Sequence, residues 1–154
     1  YVRIFDNSAK MTIHLLRMAV GVENIANLQQ IQSDRLSQSS TQNEKGLYTY
    51  TRNIPKKVND LIDGGSIYWV IKRYIRVRQN ILGIERREND EGRAFCAIKI
   101  DPVLKQVVAR RQKAFQGWRY LKPEDKPVDL QISNHKAKNM PSEMIDELRD
   151  LGLI

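Results

Sequence analysis

From residue 66 the pattern takes a period of two, through residues 66–72 and again through 74–81. This spacing predicts one strand with Ile67, Trp69 and Ile71 on a shared side and a second with Ile75, Val77 and Ile81 on a shared side. A charged turn at 88–92 leads to a third alternating run, 94–100, which stops at Asp101-Pro102, so an antiparallel meander is expected. Residues 106–111 supply a further candidate strand. Upstream, 12–20 reads as a strand closed by Gly21, and 24–38 as a helix capped by Asn24 with Ile25, Leu28, Ile31 and Leu36 near one face. The polar stretch 37–46 reads as an exposed loop and 47–51 as a short β-prone segment. Pro55 suits the first position of a helix that turns Val58, Leu61 and Ile62 inward and ends at Gly64. Pro123, Pro127 and the polar chain through Asn139 read as irregular. A closing helix is expected from Pro141, with Met144, Ile145, Leu148 and Leu151 on one face and Gly152 just beyond.

Together these elements predict an α+β domain: a curved, mainly antiparallel sheet with two longer helices and one short one beside it. The amphipathic pattern starts only after Met11, so residues 1–10 are read as an upstream extension or a cloning remnant and 11–154 as a single domain. The other reading of that extension is a first strand through Val2 and Ile4. A chain of 154 residues with 41% hydrophobic and 29% charged residues suits one folded core.

Charge changes the picture more than size does. With 26 Lys and Arg against 18 Asp and Glu, the net charge of +8 makes RNA or another polyanion a reasonable partner, although a plain solvated surface would give the same count. The single cysteine, Cys96, excludes an intrachain disulfide and sits in an alternating apolar run, which reads as a buried, inert thiol in a reducing, cytoplasmic setting. No apolar run approaches the roughly 18 residues of a spanning helix, so no membrane partner is expected.

Candidate chemistry is sparse. His14, His135 and Cys96 lie in unrelated segments without metal-ligand spacing, and the chain lacks a phosphate-binding glycine loop and a nucleophile elbow. We therefore expect no metal, no cofactor and no catalytic residue, and lean away from an enzyme. The pairs Asp60 with Asp63 and Glu124 with Asp125 could act as acid and base, but the second is flanked by Lys122 and Lys126 and reads more simply as local ion pairing.

The densest signal is Phe115-Gln116-Gly117-Trp118-Arg119-Tyr120-Leu121-Lys122-Pro123-Glu124-Asp125. Its rings could stack on a base and its cations bind phosphate, or Phe115, Trp118 and Tyr120 could plug the core under an irregular segment. Arg76 and Arg78, two apart on a strand, would share a face and with nearby cations could follow a phosphate backbone. The leading expectation is a non-catalytic RNA or nucleic-acid binding module using Arg76, Arg78, Arg110, Arg111, Arg119 and Lys122 for phosphates and Tyr120 or Trp118 for stacking. The alternatives are a small-molecule pocket walled by Trp69, Trp118 and Tyr120 with Glu124 or Asp125 as polar anchor, and a subunit of a larger assembly, its oligomeric state open.

Three stretches carry a resemblance: Asp63-Gly64-Gly65-Ser66-Ile67-Tyr68-Trp69-Val70-Ile71-Lys72, Arg78-Gln79-Asn80-Ile81-Leu82 and Phe115-Gln116-Gly117-Trp118-Arg119-Tyr120-Leu121. They resemble an alphaproteobacterial family known only as the domain of unknown function 1489, with similarity running from Met11 to the closing Leu151-Gly152-Leu153. The resemblance implies a bacterial cytoplasmic origin and a start at Met11, and no activity. Arg73 stands where that family commonly has Gly, which puts a tight turn between the first two meander strands in question. The element order also resembles small RNA-binding barrels of the pseudouridine synthase and archaeosine transglycosylase (PUA) type.

Overall fold

The most continuously apolar segment of the chain has no solvated face. Strand β3 (Ser66–Ile71) is buried at all six positions. Ile67, Trp69 and Ile71 enter the larger of two cores, while Tyr68 and Val70 enter a smaller one on the opposite side. The computed structural model describes residues 12–41 and 46–130. Around β3 it arranges β1 (His14–Met18), β2 (Leu47–Thr51), β4 (Tyr74–Glu88), β5 (Ala94–Ile100), β6 (Lys105–Arg111) and β7 (Trp118–Leu121). The helices are α1 (Ile25–Thr41) and the single-turn α2 (Val58–Ile62), followed late in the chain by a 3-10 turn, Pro123–Asp125.

Among the described residues these strands form one mixed sheet in the order β2-β5-β4-β3-β1-β7, with β6 also on β4. Every pairing is antiparallel except β1 with β3. The architecture is therefore α+β with a mainly antiparallel sheet. It is open, with β2 and β7 at opposite ends of the order, and this overturns the PUA-like barrel, whose closure would need those ends to pair. Residues 1–11, His135 and the helix expected from Pro141 lie outside the described residues.

Helix α1 starts as its sequence dictates: the Asn24 side chain accepts the N–H of Asn27 at 2.8 Å, and Asn27 reaches back to the N–H of Glu23 at 2.9 Å. Ile25 and Leu28 are buried in the larger core, with Ile31 and Leu36 packed against it. The helix runs on to Thr41, through part of the stretch read as a loop. That stretch has no Pro, and its first Gly is Gly46, so its polar residues favour solvent without forbidding a helix.

Periodicity misplaces one residue of β4. Trp69 faces Val77 but Val70 faces Ile75, so Arg76 is an extra residue in β4, a bulge across which side-chain parity reverses. Ile75 consequently joins the smaller core, and Val77 and Ile81 the larger. A second irregularity between Ile81 and Gly83 leaves Leu82 exposed. β5 and β6 run one after the other along β4, opposite Ile81–Glu88 and Tyr74–Arg78 in turn.

The hairpin between β3 and β4 is tight despite its sequence. Lys72 and Arg73 both take positive φ, 49° and 73°, the mark of a two-residue type I′ turn that favours Asn-Gly. The Arg73 carbonyl accepts the N–H of Gln112 at 2.7 Å, tying the turn to the end of β6.

Helix α2 begins at Val58, three residues later than Pro55 suggested, buries Leu61 and leaves Ile62 exposed. Its exit explains the glycine pair: Gly64 has φ +84°, and Gly65 lies so close to backbone that an added Cβ would sit 2.2 Å from the Leu61 carbonyl oxygen and 2.5 Å from that of Ile13.

Two opposite mutational outcomes follow. Arg73→Gly relieves a left-handed non-glycine residue and is expected to raise unfolding free energy by about 1 kcal/mol. Gly65→Ala pushes into backbone that cannot yield and should cost about 3 kcal/mol or more. Denaturant melts of the two variants beside the parent check both.

Candidate functional site

The aromatic segment near the end of the described chain is a strand, not an irregular plug. In β7, Trp118 and Tyr120 face the larger core, while Arg119 points to the other side and is exposed. Gly117, at φ +78° with open space around it, serves the turn into β7. The Trp118 indole N–H donates to the Asn53 carbonyl at 2.9 Å, and the Tyr120 hydroxyl accepts the N–H groups of Lys56 and Lys57 at 2.9 and 3.2 Å. The two rings meet edge to face at 4.9 Å. They staple the chain between β2 and α2, and both polar tips are occupied by that task.

The candidate arginines are dispersed. Arg76 is buried with its guanidinium 5.2 Å from the Tyr74 ring centroid, and the bulge removes the i, i+2 relation that would have aligned it with Arg78. Arg78 grips Asp129 through two 2.7 Å hydrogen bonds and also donates to Ser66 Oγ at 2.9 Å and Asn80 Oδ1 at 3.0 Å. That pairing holds the Asp129 carboxyl below its ordinary range and raises Arg78. Arg110 donates to the Asp125 carbonyl, Arg119 lies 4.6 Å over the Phe115 ring, and Arg111 and Lys122 are exposed. Register sets Arg119, Leu16, Tyr68 and Arg78 in one row across four strands.

The expected three-ring pocket does not assemble. Trp69 is buried and its indole N–H donates to Gln79 Oε1 at 2.9 Å. In register it is separated from Trp118 by Arg17, and Glu124 and Asp125 are exposed in the 3-10 turn. Trp69 instead lines a cleft of about 200 Å³ between α1, the end of β1 and β2, together with Arg17, Arg35, Gln32 and Thr49. As one cation interrupting an otherwise apolar strand, Arg17 carried no functional signal in the sequence.

A second grouping also escaped the sequence. On the side of β2 and β5 away from α1, Tyr48 and Tyr50 stack at 6.3 Å and Tyr50 meets Phe95 at 5.9 Å. The Arg87 guanidinium lies 4.9 Å over Tyr48 and is paired with Glu85. Lys99 is opposite Tyr48 in register, and Tyr50 is 44% exposed. The signal was present as Tyr-Thr-Tyr alternation within a five-residue strand.

His14 is the described histidine, and it is structural. Its Nδ1 accepts the Ser66 N–H at 3.0 Å and its ring meets Tyr68 edge to face at 5.3 Å. Burial, then the charges of Lys126 and Arg78, push its pKa down from 6.5 to about 4. Among the described residues no three His, Cys, Asp or Glu side chains gather as a metal group, and no helix is long and apolar enough to cross a membrane.

The fold and its surfaces define an open-sheet α+β domain with one face roofed by α1 and an opposite face that, among the described residues, carries no α-helix and bears rings and cations. Over residues 15–154 the chain matches the family described as Protein of unknown function (DUF1489), and it belongs to that family. No curated protein and no solved structure matches it.

The histidine yields a pH signature. Because the folded imidazole takes up its proton at lower pH than the unfolded one, its contribution is complete above pH 6.5 and is lost as pH falls from 6.5 to about 4. Stability should decline there with a slope approaching one proton, about 1.4 kcal/mol per pH unit. His14→Asn keeps an acceptor for the Ser66 N–H without the titration and should flatten that window in denaturant melts run across pH.

Proposed function

We propose that the protein is a non-catalytic module that binds single-stranded RNA, or a related polyanion, on the face of its sheet opposite α1. The observation that carries this reading is the run of contiguous rings Tyr48, Tyr50 and Phe95 on solvent-facing positions of β2 and β5. Stacked aromatics on a strand surface can take successive bases without reading their sequence, since every base has a π-face. Net charge of +8 supplies the long-range attraction, and Lys99 and Arg119 supply cations on the same side of the sheet.

This reading moves the stacking role from Tyr120 and Trp118, whose polar tips hold the core-side staple, to the tyrosines of β2. It keeps Arg111, Arg119 and Lys122 as phosphate contacts and gives Arg76 and Arg78 a structural role, because one is buried and the other is neutralised by Asp129. A cytoplasmic setting goes with it, as a lone buried thiol, Cys96, fits a reducing compartment.

Anisotropy titration of a labelled oligouridine tests the reading. Binding should be measurable at low salt and fall log-linearly as salt rises. Tyr50→Ala should weaken it by about 5- to 100-fold while changing the melting temperature little, in line with roughly 1–3 kcal/mol per stacked base. Arg119→Gln should reduce the salt slope by about one. Undetectable or salt-insensitive binding would sink the proposal.

A further inference from the structure

We propose that the cleft between α1 and the edge strand β2 binds a small organic anion, its carboxylate or phosphate head held by Arg17 and Arg35 and its short apolar body lying on Leu28 and Ile31. This site lies on the helix-roofed side of the sheet and is independent of the RNA reading.

The protein treats its part-buried arginines in two different ways. Arg78 is neutralised by a bidentate carboxylate. Arg17 is also withdrawn from water, yet among the described residues its hydrogen-bond partners are neutral: Nη1 donates to the Thr49 hydroxyl and Nη2 to the Tyr50 carbonyl at 2.8 Å. Its guanidinium carbon lies 5.9 Å from the Trp69 ring centroid. These contacts fix the orientation of the group without cancelling its charge.

Arg35 adds a second positive charge from α1, and among the described residues lining the cleft there is no Asp or Glu. Like charges gathered in a partly desolvated space are costly unless an anion joins them. The lowering of Arg17, first by burial and then by Arg35, is the electrostatic trace of that cost. An incoming carboxylate or phosphate relieves it with charge-assisted hydrogen bonds of the kind arginine makes best.

Size and lining restrict the rest of the ligand. At about 200 Å³ the cleft is smaller than the roughly 300–1,000 Å³ of pockets for drug-sized molecules, so a nucleotide is too large and an anion with a body of a few carbons fits. Leu28, Ile31, Val22 and Leu47 give that body an apolar wall. The floor is rigid because Trp69 and Gln32 are both bonded to Gln79.

The floor also gives a readout. In proton–nitrogen NMR spectra of the full chain, the indole N–H signals of Trp69 and Trp118 are assigned with Trp118→Phe, and the protein is titrated with sodium hexanoate, hexyl phosphate and 1-hexanol. The anions should shift the Trp69 signal in a saturable way and leave that of Trp118 in place, and hexanol should not. The tighter of the two anions identifies the head group. Arg35→Gln, a change at an exposed position, should weaken binding about tenfold or more while the melting temperature stays constant. If neither anion moves the Trp69 signal at millimolar concentration, if hexanol does so equally well, or if Arg35→Gln binds like the parent, the proposal is overturned.

Discussion

The side-chain amide of Gln79, fully buried in the middle of β4, is the contact on which the relation of helix to sheet depends. All four of its hydrogen-bonding positions are filled. Oε1 accepts from Gln32 at 2.9 Å and from the Trp69 indole at 2.9 Å, and Nε2 donates to Gln32 at 2.8 Å and to the Asp101 carbonyl at 3.0 Å. An apolar interface would let α1 slide or rotate at small cost, whereas a buried amide pair has one geometry in which no polar atom is stranded. The network therefore sets the position of α1, the orientation of Trp69 and the point at which the chain leaves β5. One wall and the floor of the Arg17 cleft follow from it.

Fixing α1 to one side of the sheet makes the two faces unlike. The roofed side collects the larger core, so a cation there must be paired or held in a cleft. The side opposite α1 carries the smaller core, around Leu16, Tyr68 and Val70, and on it β2 and β5 present rings to solvent. The two proposed binding surfaces differ accordingly: an open ring surface can meet an extended polymer, and a cleft of limited volume can meet only a small anion.

Much of this order was legible in the sequence, and the failures have physical causes. Period-two alternation marked β3, β5 and most of β4 because those strands bury at least one face, and Asn24 marked the start of α1 because its cap is local. A bulge has no such local signature. Arg76 looks like any strand residue, yet it reverses the faces of everything before it, which is why Ile75 and the Arg76 and Arg78 pairing were misjudged. β7 was hidden for a different reason: it is four residues long, and Trp118 and Tyr120 find their partners at Asn53, Lys56 and Lys57, more than 60 positions upstream. Arg78 read as a free cation because Asp129, 51 positions away, carries no sign of the pairing. The same distance effect concealed Arg17, whose partners are on β2.

That strand joins the two surfaces. β2 is five residues long and lies at one end of the sheet order, so among the described residues one of its edges is not committed to a ladder. Alternation sends Tyr48 and Tyr50 outward and Leu47, Thr49 and Thr51 inward. Thr49 and the Tyr50 carbonyl then hold the Arg17 guanidinium on the inner side while the Tyr50 ring stands on the outer one. A one-residue slip of β2 against β5 would exchange these sides, burying the rings and exposing the hydroxyl that orients Arg17. The register Thr49 with Ile98 and Tyr50 with Ala97 is held by Leu47 and Thr51 in the core, so the chemistry of both faces rests on the packing of one short edge strand.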